Sequence, residues 1–90
     1  MLENYQELAN AVIELAVKDY RKLSKGYQRT VQERNRVRKK DTRKELEYKM
    51  RGIKRKITDI ENFFTSKWFS ELTTISGEMI VDRLRKECRL

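Results

Sequence analysis

The sequence has few of the residues that most often carry catalysis or interrupt a helix. Its 90 residues include no histidine, no proline, one cysteine and three glycines. The lack of histidine excludes His-based catalytic pairs and, with a single cysteine, the usual zinc ligand sets. Cys88 alone cannot form an internal disulfide and suits a reducing compartment. No apolar run approaches the roughly 20 residues that span a bilayer, so we expect no membrane-spanning segment.

The composition predicts an all-α fold. Hydrophobic residues make up 38% of the chain and charged residues 40%, a balance well on the charged side of a globular average. With no proline and few glycines, little would interrupt a helix once it has started. No extended stretch alternates apolar and polar residues as a half-buried strand would. We expect a single helical domain over residues 1–90.

The first predicted helix runs from about Glu3 to Ser24. Gly26 would end it, or the helix would continue to about residue 38, and the sequence leaves both open. In the first case a basic connector occupies residues 25–41. Apolar residues recur at three- and four-residue steps and so share one face: Tyr5, Leu8, Ala9, Val12, Ile13, Ala16, Tyr20 and Leu23.

The second predicted helix starts with Asp41 or Thr42 as its N-cap, and Thr42 with Glu45 matches a capping box. Its apolar residues follow a heptad pattern: Leu46, Met50, Ile53, Ile57, Ile60 and Phe64. Such a seam predicts an antiparallel partner helix. Ser66 would then cap a short helix from Lys67 to about Thr73. Ser76 would cap a medium one from Gly77 to about Arg89, with Ile80, Val81, Leu84 and Cys88 inward. The predicted fold is therefore an antiparallel hairpin of two long helices, closed by these two C-terminal helices.

Four of the aromatic residues are concentrated near the end of the second helix, at Phe63, Phe64, Trp68 and Phe69. We expect them to close one end of the hairpin, with Trp68 as an exposed partner anchor as the alternative. Tyr27, beside Gly26, would either pack in a loop or serve as a second exposed anchor. We expect Cys88 to fill space as a small apolar residue.

Positive charge is concentrated in the middle of the chain. Residues 18–56 hold 17 of the 22 Lys and Arg residues and five acids, a local net charge of +12. This pattern predicts contact with nucleic acid or an acidic protein surface, and the alternative is a solvated face that keeps the protein soluble. Four of the candidate residues lie opposite the heptad seam, at i, i+4, i+7 and i+11. The candidate binding residues are Arg34, Arg36, Arg38, Lys39, Lys40, Arg43, Lys44, Tyr48, Arg51 and Arg55.

The segments NAVIELAVKDYRKL and IENFFTSKWFSELTTISGEMIVDRLRKE, residues 10–23 and 60–87, resemble small helical proteins of bacteriophages and conjugative elements of Gram-positive bacteria. The family pattern is an AVxDY(R) helix joined to an IExFFxSxWFxxLTxxxGExxIxxLR tail. The resemblance implies a mobile-element origin, a helical fold and the cytoplasm of a bacterial host. The matching residues are Ala16, Val17, Asp19, Tyr20, Ile60, Glu61, Phe63, Phe64, Ser66, Trp68, Phe69, Leu72, Thr73, Gly77, Glu78 and Leu84.

Three functions fit these observations, and none is enzymatic. The first is an anti-CRISPR-like inhibitor that blocks a host defence nuclease or its nucleic acid, a role that the resemblance favours. The second is an accessory protein that binds nucleic acid without sequence preference. The third is a structural coiled-coil protein, and the heptad seam also allows a homodimer. We expect no metal, no cofactor and no membrane partner, since the sequence has no phosphate-binding glycine loop or metal-ligand pattern.

Overall fold

The computed structural model describes the backbone of residues 2–89 and the side chains of residues 6–89. Four helices follow one another in the described chain: α1 (Leu2–Arg36), α2 (Lys40–Phe64), α3 (Lys67–Leu72) and α4 (Gly77–Cys88). α1 and α2 pack as an antiparallel hairpin, α4 lies against both, and α3 packs on α2. The result is a rod of 57 × 20 × 18 Å. The all-α hairpin with two shorter C-terminal helices is thus confirmed.

α1 runs through Gly26 and ends at Arg36. The stop at Gly26 and the connector over residues 25–41 are therefore wrong, and the continuation toward residue 38 is correct. Glycine in a helix costs about 1 kcal/mol, which packing against a second helix offsets. The Thr30 hydroxyl donates to the Gly26 carbonyl at 2.7 Å, and Ile53 approaches Gly26 from α2. Only residues 37–39 join the two long helices.

α2 begins earlier than its sequence signals suggested. Its N-cap is Lys39, which has an extended backbone and makes no side-chain capping bond. The predicted caps at Asp41 or Thr42, and the capping box with Glu45, are therefore wrong. The turn is held instead by Arg43, whose amide donates to the Lys39 carbonyl at 3.0 Å. The Arg43 side chain also reaches back to the Val37 carbonyl at 3.0 Å.

The heptad seam of α2 faces the core as predicted. Met50, Ile57 and Phe64 are buried, and the other three members are half-buried. Each fully buried side chain of this size stabilises the fold by about 1.5–3 kcal/mol. On α1 the predicted apolar face is mostly correct, with Ala9 and Tyr20 fully buried.

Two members of the predicted α1 face differ from the rest. Leu8 is 54% exposed, so its inward placement is wrong. The side chain of Tyr5 lies outside the described residues.

Serine caps start both C-terminal helices, as predicted. The Ser66 hydroxyl accepts a hydrogen bond from the Phe69 amide at 3.2 Å, and that of Ser76 accepts one from the Met79 amide at 3.3 Å. Each such cap stabilises a helix by about 1 kcal/mol. α4 presents Val81 and Leu84 to the core, with Ile80 and Cys88 packed partly against it.

Three phenylalanines close one end of the hairpin. Phe64 and Phe69 are both 1% exposed, and their rings meet edge to face with centroids 5.3 Å apart. Phe63 packs against both rings and against Trp68. Trp68 itself is 57% exposed. Core closure is therefore correct for the phenylalanines and wrong for Trp68.

A polar network joins α1, α2 and α4 at the centre of the molecule. The buried Tyr20 hydroxyl donates to Glu61 at 2.8 Å, and Arg85 binds the same carboxylate from α4. Burial, reinforced by the bond to Glu61, raises the pKa of Tyr20 far above its usual range, which keeps the hydroxyl protonated as a donor. The hydrogen bond from Arg85 lowers the pKa of Glu61 despite its partial burial. The shared carboxylate thus fixes α4 against the hairpin.

None of the helices, over the residues that the structure describes, combines the length and apolar character needed to cross a bilayer.

Candidate nucleic-acid interface

The hairpin turn and the helix segments on either side of it form the basic end of the rod, which we define as residues 25–56. This segment contains 14 bases and four acids, a net charge of +10. Because α1 and α2 are antiparallel and joined by only three residues, both strongly basic segments lie side by side. The fold therefore brings the bases of two consecutive helix segments together at one end of the molecule.

A stripe of four residues runs along the outer face of α2 in the basic end. Lys44, Tyr48, Arg51 and Arg55 are all exposed, as their spacing opposite the seam predicts. Tyr48 is 75% exposed, which is unusual for a tyrosine, because tyrosine side chains are usually at least partly buried. The ring and the three cations thus present an apolar flat surface among positive charges. We call this set the α2 stripe.

No carboxylate neutralises the α2 stripe among the described side chains. The three ion pairs among the described side chains join Arg21 to Glu87, Arg85 to Glu61, and Lys86 to Asp82. All three involve α4, which lies away from the hairpin turn. The cations of the stripe are therefore left to solvent or to a ligand, which is the condition for attracting phosphates.

The turn itself adds four exposed bases, Arg36, Arg38, Lys39 and Lys40. Two other predicted residues are partly committed within the chain. Arg34 is half-buried, and one of its guanidinium nitrogens lies 3.2 Å from the Asn35 side-chain oxygen. Arg43 is bound to the Val37 carbonyl. The same run of sequence thus contains bases that are fully available to a ligand and two, Arg34 and Arg43, that contact other groups of the chain. Arg43 takes this role because carbonyl groups at the end of α1 have no partner within the helix and need a donor.

Tyr27 lies within the C-terminal third of α1 and not in a loop, and its side chain is half-buried. It lines a groove of about 470 Å³ between α1, α2 and α4. Lys54 and Arg89 bring positive charge to the same groove. Tyr27 is therefore only partly available as an exposed anchor. Lys54 is an exposed base that is not among the residues predicted to bind.

Trp68 retains the features of a partner anchor. One side of its indole packs against Phe63, with centroids 5.6 Å apart, while more than half of the residue is exposed. It lies near the aromatic end of the rod, away from the basic end. Trp68 and the α2 stripe therefore belong to two different surfaces.

The described residues offer no metal centre, because they hold no group of three or more His, Cys, Asp or Glu side chains placed to bind one ion. The strongest electrostatic coupling is the network of Tyr20, Glu61 and Arg85, in which each group has a partner. Glu61 raises the pKa of Arg85 through a hydrogen bond, so the pair remains ionised at neutral pH. Such a saturated network is typical of structural support.

Comparison with protein-family models, with curated proteins and with solved structures finds no match to this chain. The charge and geometry of the chain itself therefore carry the functional argument.

Proposed function

We propose that this chain is a non-enzymatic binding protein that holds the phosphate backbone of nucleic acid with the basic end of its helical rod. The observation that carries the proposal is the α2 stripe, in which Lys44, Arg51 and Arg55 are exposed without a carboxylate partner among the described residues. Arg and Lys on a rigid helix are well suited to phosphate contacts.

The dimensions of the stripe suit a phosphate backbone. The α-carbons of Lys44 and Arg55 are separated by about 17 Å along a helix with a rise of 1.5 Å per residue. That length matches about half a turn of B-form duplex. Binding through phosphates would depend on charge and little on sequence, because phosphate contacts carry no direct sequence information.

The biological role that we propose for this binding is inhibition of a host defence nuclease. The support is the sequence resemblance to small helical proteins of mobile elements, for which blocking such a nuclease is of use. An anti-CRISPR-like protein with this surface would occupy guide RNA or target DNA that the nuclease has to hold. The basic end would supply the contacts, and no chemical step would be needed.

The proposal is tested by fluorescence anisotropy with labelled duplex DNA at salt concentrations from about 50 to about 200 mM. The variant Arg51→Ala/Arg55→Ala removes two cations of the stripe. The matched control Lys67→Ala/Arg83→Ala removes two exposed cations of α3 and α4. The stripe variant should flatten the slope of log K against log salt by about 1.8, because each phosphate contact contributes about 0.9. Equal weakening by both variants would show that only net charge matters, and the proposed site would be wrong.

Acidic protein surfaces are the competing ligand class. Polyglutamate of similar charge should displace the labelled DNA much less effectively than unlabelled DNA does. Equal displacement by both polymers would favour an acidic protein partner.

The inhibitory role has its own test. An RNA-guided nuclease is incubated with the protein before target DNA is added, and cleavage is followed on a gel. Wild-type protein should slow cleavage at concentrations at which Arg51→Ala/Arg55→Ala does not. Normal cleavage at saturating protein would contradict inhibition of the host nucleases that were tried. It would not contradict nucleic-acid binding, which the anisotropy experiment tests separately.

A further inference from the structure

The groove that Tyr27 lines lies where α1, α2 and the C-terminal end of α4 meet, and we call it the α4 groove. Its volume of about 470 Å³ falls within the range of about 300–1,000 Å³ that is typical of small-ligand sites. None of the residues of the α2 stripe lines it. The α4 groove is therefore a second candidate site, separate from the surface to which the proposed function is assigned.

The apolar part of the α4 groove is formed by one side chain from each long helix. Ile57 of α2 is only 5% exposed and belongs to the hydrophobic core, so it provides a fixed apolar wall. Tyr27 of α1 is half-buried and adds an aromatic ring to the same lining. An aromatic ring beside an aliphatic wall suits a ligand with a flat aromatic body, because such rings stack on tyrosine.

The charged part of the α4 groove favours an anion. Lys54 and Arg89 are both exposed, and neither forms an ion pair with a described side chain. The carboxylate in the lining is that of Glu61, and Arg85 binds both of its oxygens, so these two charges compensate each other. The two remaining cations are left without a partner and attract negative charge to the groove.

We propose that the α4 groove binds a nucleotide, with the base against Tyr27 and Ile57 and the phosphate held by Lys54 and Arg89. A nucleotide joins a flat aromatic base to a phosphate, and these are the two chemical groups that the lining complements. Inorganic phosphate would leave the apolar wall without a contact, and an uncharged ring would leave both cations without one. The site does not depend on the proposed function, because it uses none of the stripe residues.

The proposal is tested by isothermal titration calorimetry of the full chain with adenosine monophosphate. Lys54→Ala/Arg89→Ala should weaken binding at least about ten-fold, because the phosphate loses two charge-assisted contacts. The matched control Lys56→Ala/Arg83→Ala removes the same charge at exposed bases that do not line the groove, and it should keep the affinity. A wild-type chain that shows no saturable binding, or equal weakening by both variants, would overturn the proposal.

Two shortened ligands test whether both parts of the nucleotide are recognised. Adenosine lacks the phosphate and inorganic phosphate lacks the base, so each should bind at least about ten-fold more weakly than adenosine monophosphate. Inorganic phosphate that binds as tightly as the nucleotide would show that the groove recognises charge alone. Adenosine that binds as tightly would show that the cations contribute nothing. Either result would contradict the proposal.

A steric block tests the position of the site and the source of the nucleotide. Thr58 is exposed and lines the groove, so Thr58→Trp should fill it and abolish binding of adenosine monophosphate while every cation is kept. Asn62→Trp is the matched control, since Asn62 is exposed on α2 and does not line the groove. Circular dichroism should show unchanged helix content in both variants.

A short single-stranded oligoadenylate provides the same base and phosphate from a strand. If Thr58→Trp weakens both ligands, the α4 groove also accepts a nucleotide that belongs to a strand. If it weakens adenosine monophosphate alone, the free nucleotide is the ligand. Unchanged binding of both ligands to Thr58→Trp would place the nucleotide elsewhere and overturn the proposal.

Discussion

Arg85 on α4 binds Glu61 on α2 through two hydrogen bonds, from Nε at 2.9 Å and from Nη2 at 3.0 Å. The same carboxylate accepts the hydroxyl proton of Tyr20 on α1 at 2.8 Å. One acidic side chain thus connects three helices of a small protein whose core is thin. The basic end remains free for a ligand, because none of the ion pairs among the described side chains involves a residue from 25 to 56.

This network predicts sensitivity to acid. The pKa of Glu61 is lower in the folded state than its usual value of 4.5, so its contribution to stability is present at neutral pH. That contribution declines as the pH falls below about 4.5 and the folded carboxylate becomes protonated. Glu61→Gln should lower the free energy of unfolding by about 1–2 kcal/mol at neutral pH, after allowance for solvent around Arg85. Urea unfolding across the acid range measures the difference.

Glu71→Gln is the control, because Glu71 is exposed on α3. Its pH profile should follow that of the wild type. The difference in the free energy of unfolding between Glu61→Gln and wild type should shrink on acidification. A constant difference down to low pH would contradict the assigned role of Glu61.

Gly77 and Gly52 should respond in opposite directions to the same substitution. A Cβ at Gly77 would overlap the backbone carbonyl of Phe64. Gly77→Ala should therefore lower the free energy of unfolding by about 3 kcal/mol, since the backbone has to move. A Cβ at Gly52 meets nothing within 4 Å, so Gly52→Ala should stabilise α2 by about 0.5–1 kcal/mol. Thermal unfolding of both variants checks this, and a loss of stability in Gly52→Ala would contradict it.

Much of the fold follows from local spacing in the sequence. The 4–3 repeat from Leu46 to Phe64 identified the buried face of α2, because heptad spacing is a direct consequence of helix geometry. Ser66 and Ser76 were recognised as caps, since a serine before a helical segment satisfies its first amides. Exposure of the α2 stripe follows from the same helical wheel.

The predictions that are wrong concern features that depend on tertiary packing. Gly26 resembles a helix stop, but a partner helix along its side holds the helix together through it. The sequence of four neighbouring aromatic residues does not show which ring stays exposed, and in the structure it is Trp68. Leu8 shares the spacing of the buried α1 residues, yet it is 54% exposed. Sequence periodicity gives the buried face of a helix, and which of its members the neighbouring helices cover becomes visible only in three dimensions.

Two arginines, Arg38 in the turn and Arg43 in the first turn of α2, should separate stability from binding. Arg43 donates to the Val37 carbonyl at 3.0 Å, whereas Arg38 is exposed. Arg43→Ala should lower the free energy of unfolding by about 0.5–1 kcal/mol, and Arg38→Ala should change it by less. Arg38→Ala should weaken DNA binding more than Arg43→Ala does, because the Val37 carbonyl already engages the Arg43 guanidinium. Chemical denaturation with parallel anisotropy measurements tests this, and equal stability of the two variants would show that the Arg43 bond contributes nothing.

Tyr48 distinguishes stacking from simple attraction of phosphates. Its ring is 75% exposed between Lys44 and Arg51, where an unpaired base could stack on it. Tyr48→Ala should therefore weaken binding of single-stranded DNA by about 1–3 kcal/mol, while Tyr48→Phe keeps most of the affinity. Duplex DNA should be much less affected, because its bases are already stacked and only its phosphates reach the stripe. Stability should stay unchanged in both variants, since the ring has little core contact. Equal losses for single strands and duplexes would mean that Tyr48 acts only by supporting its charged neighbours.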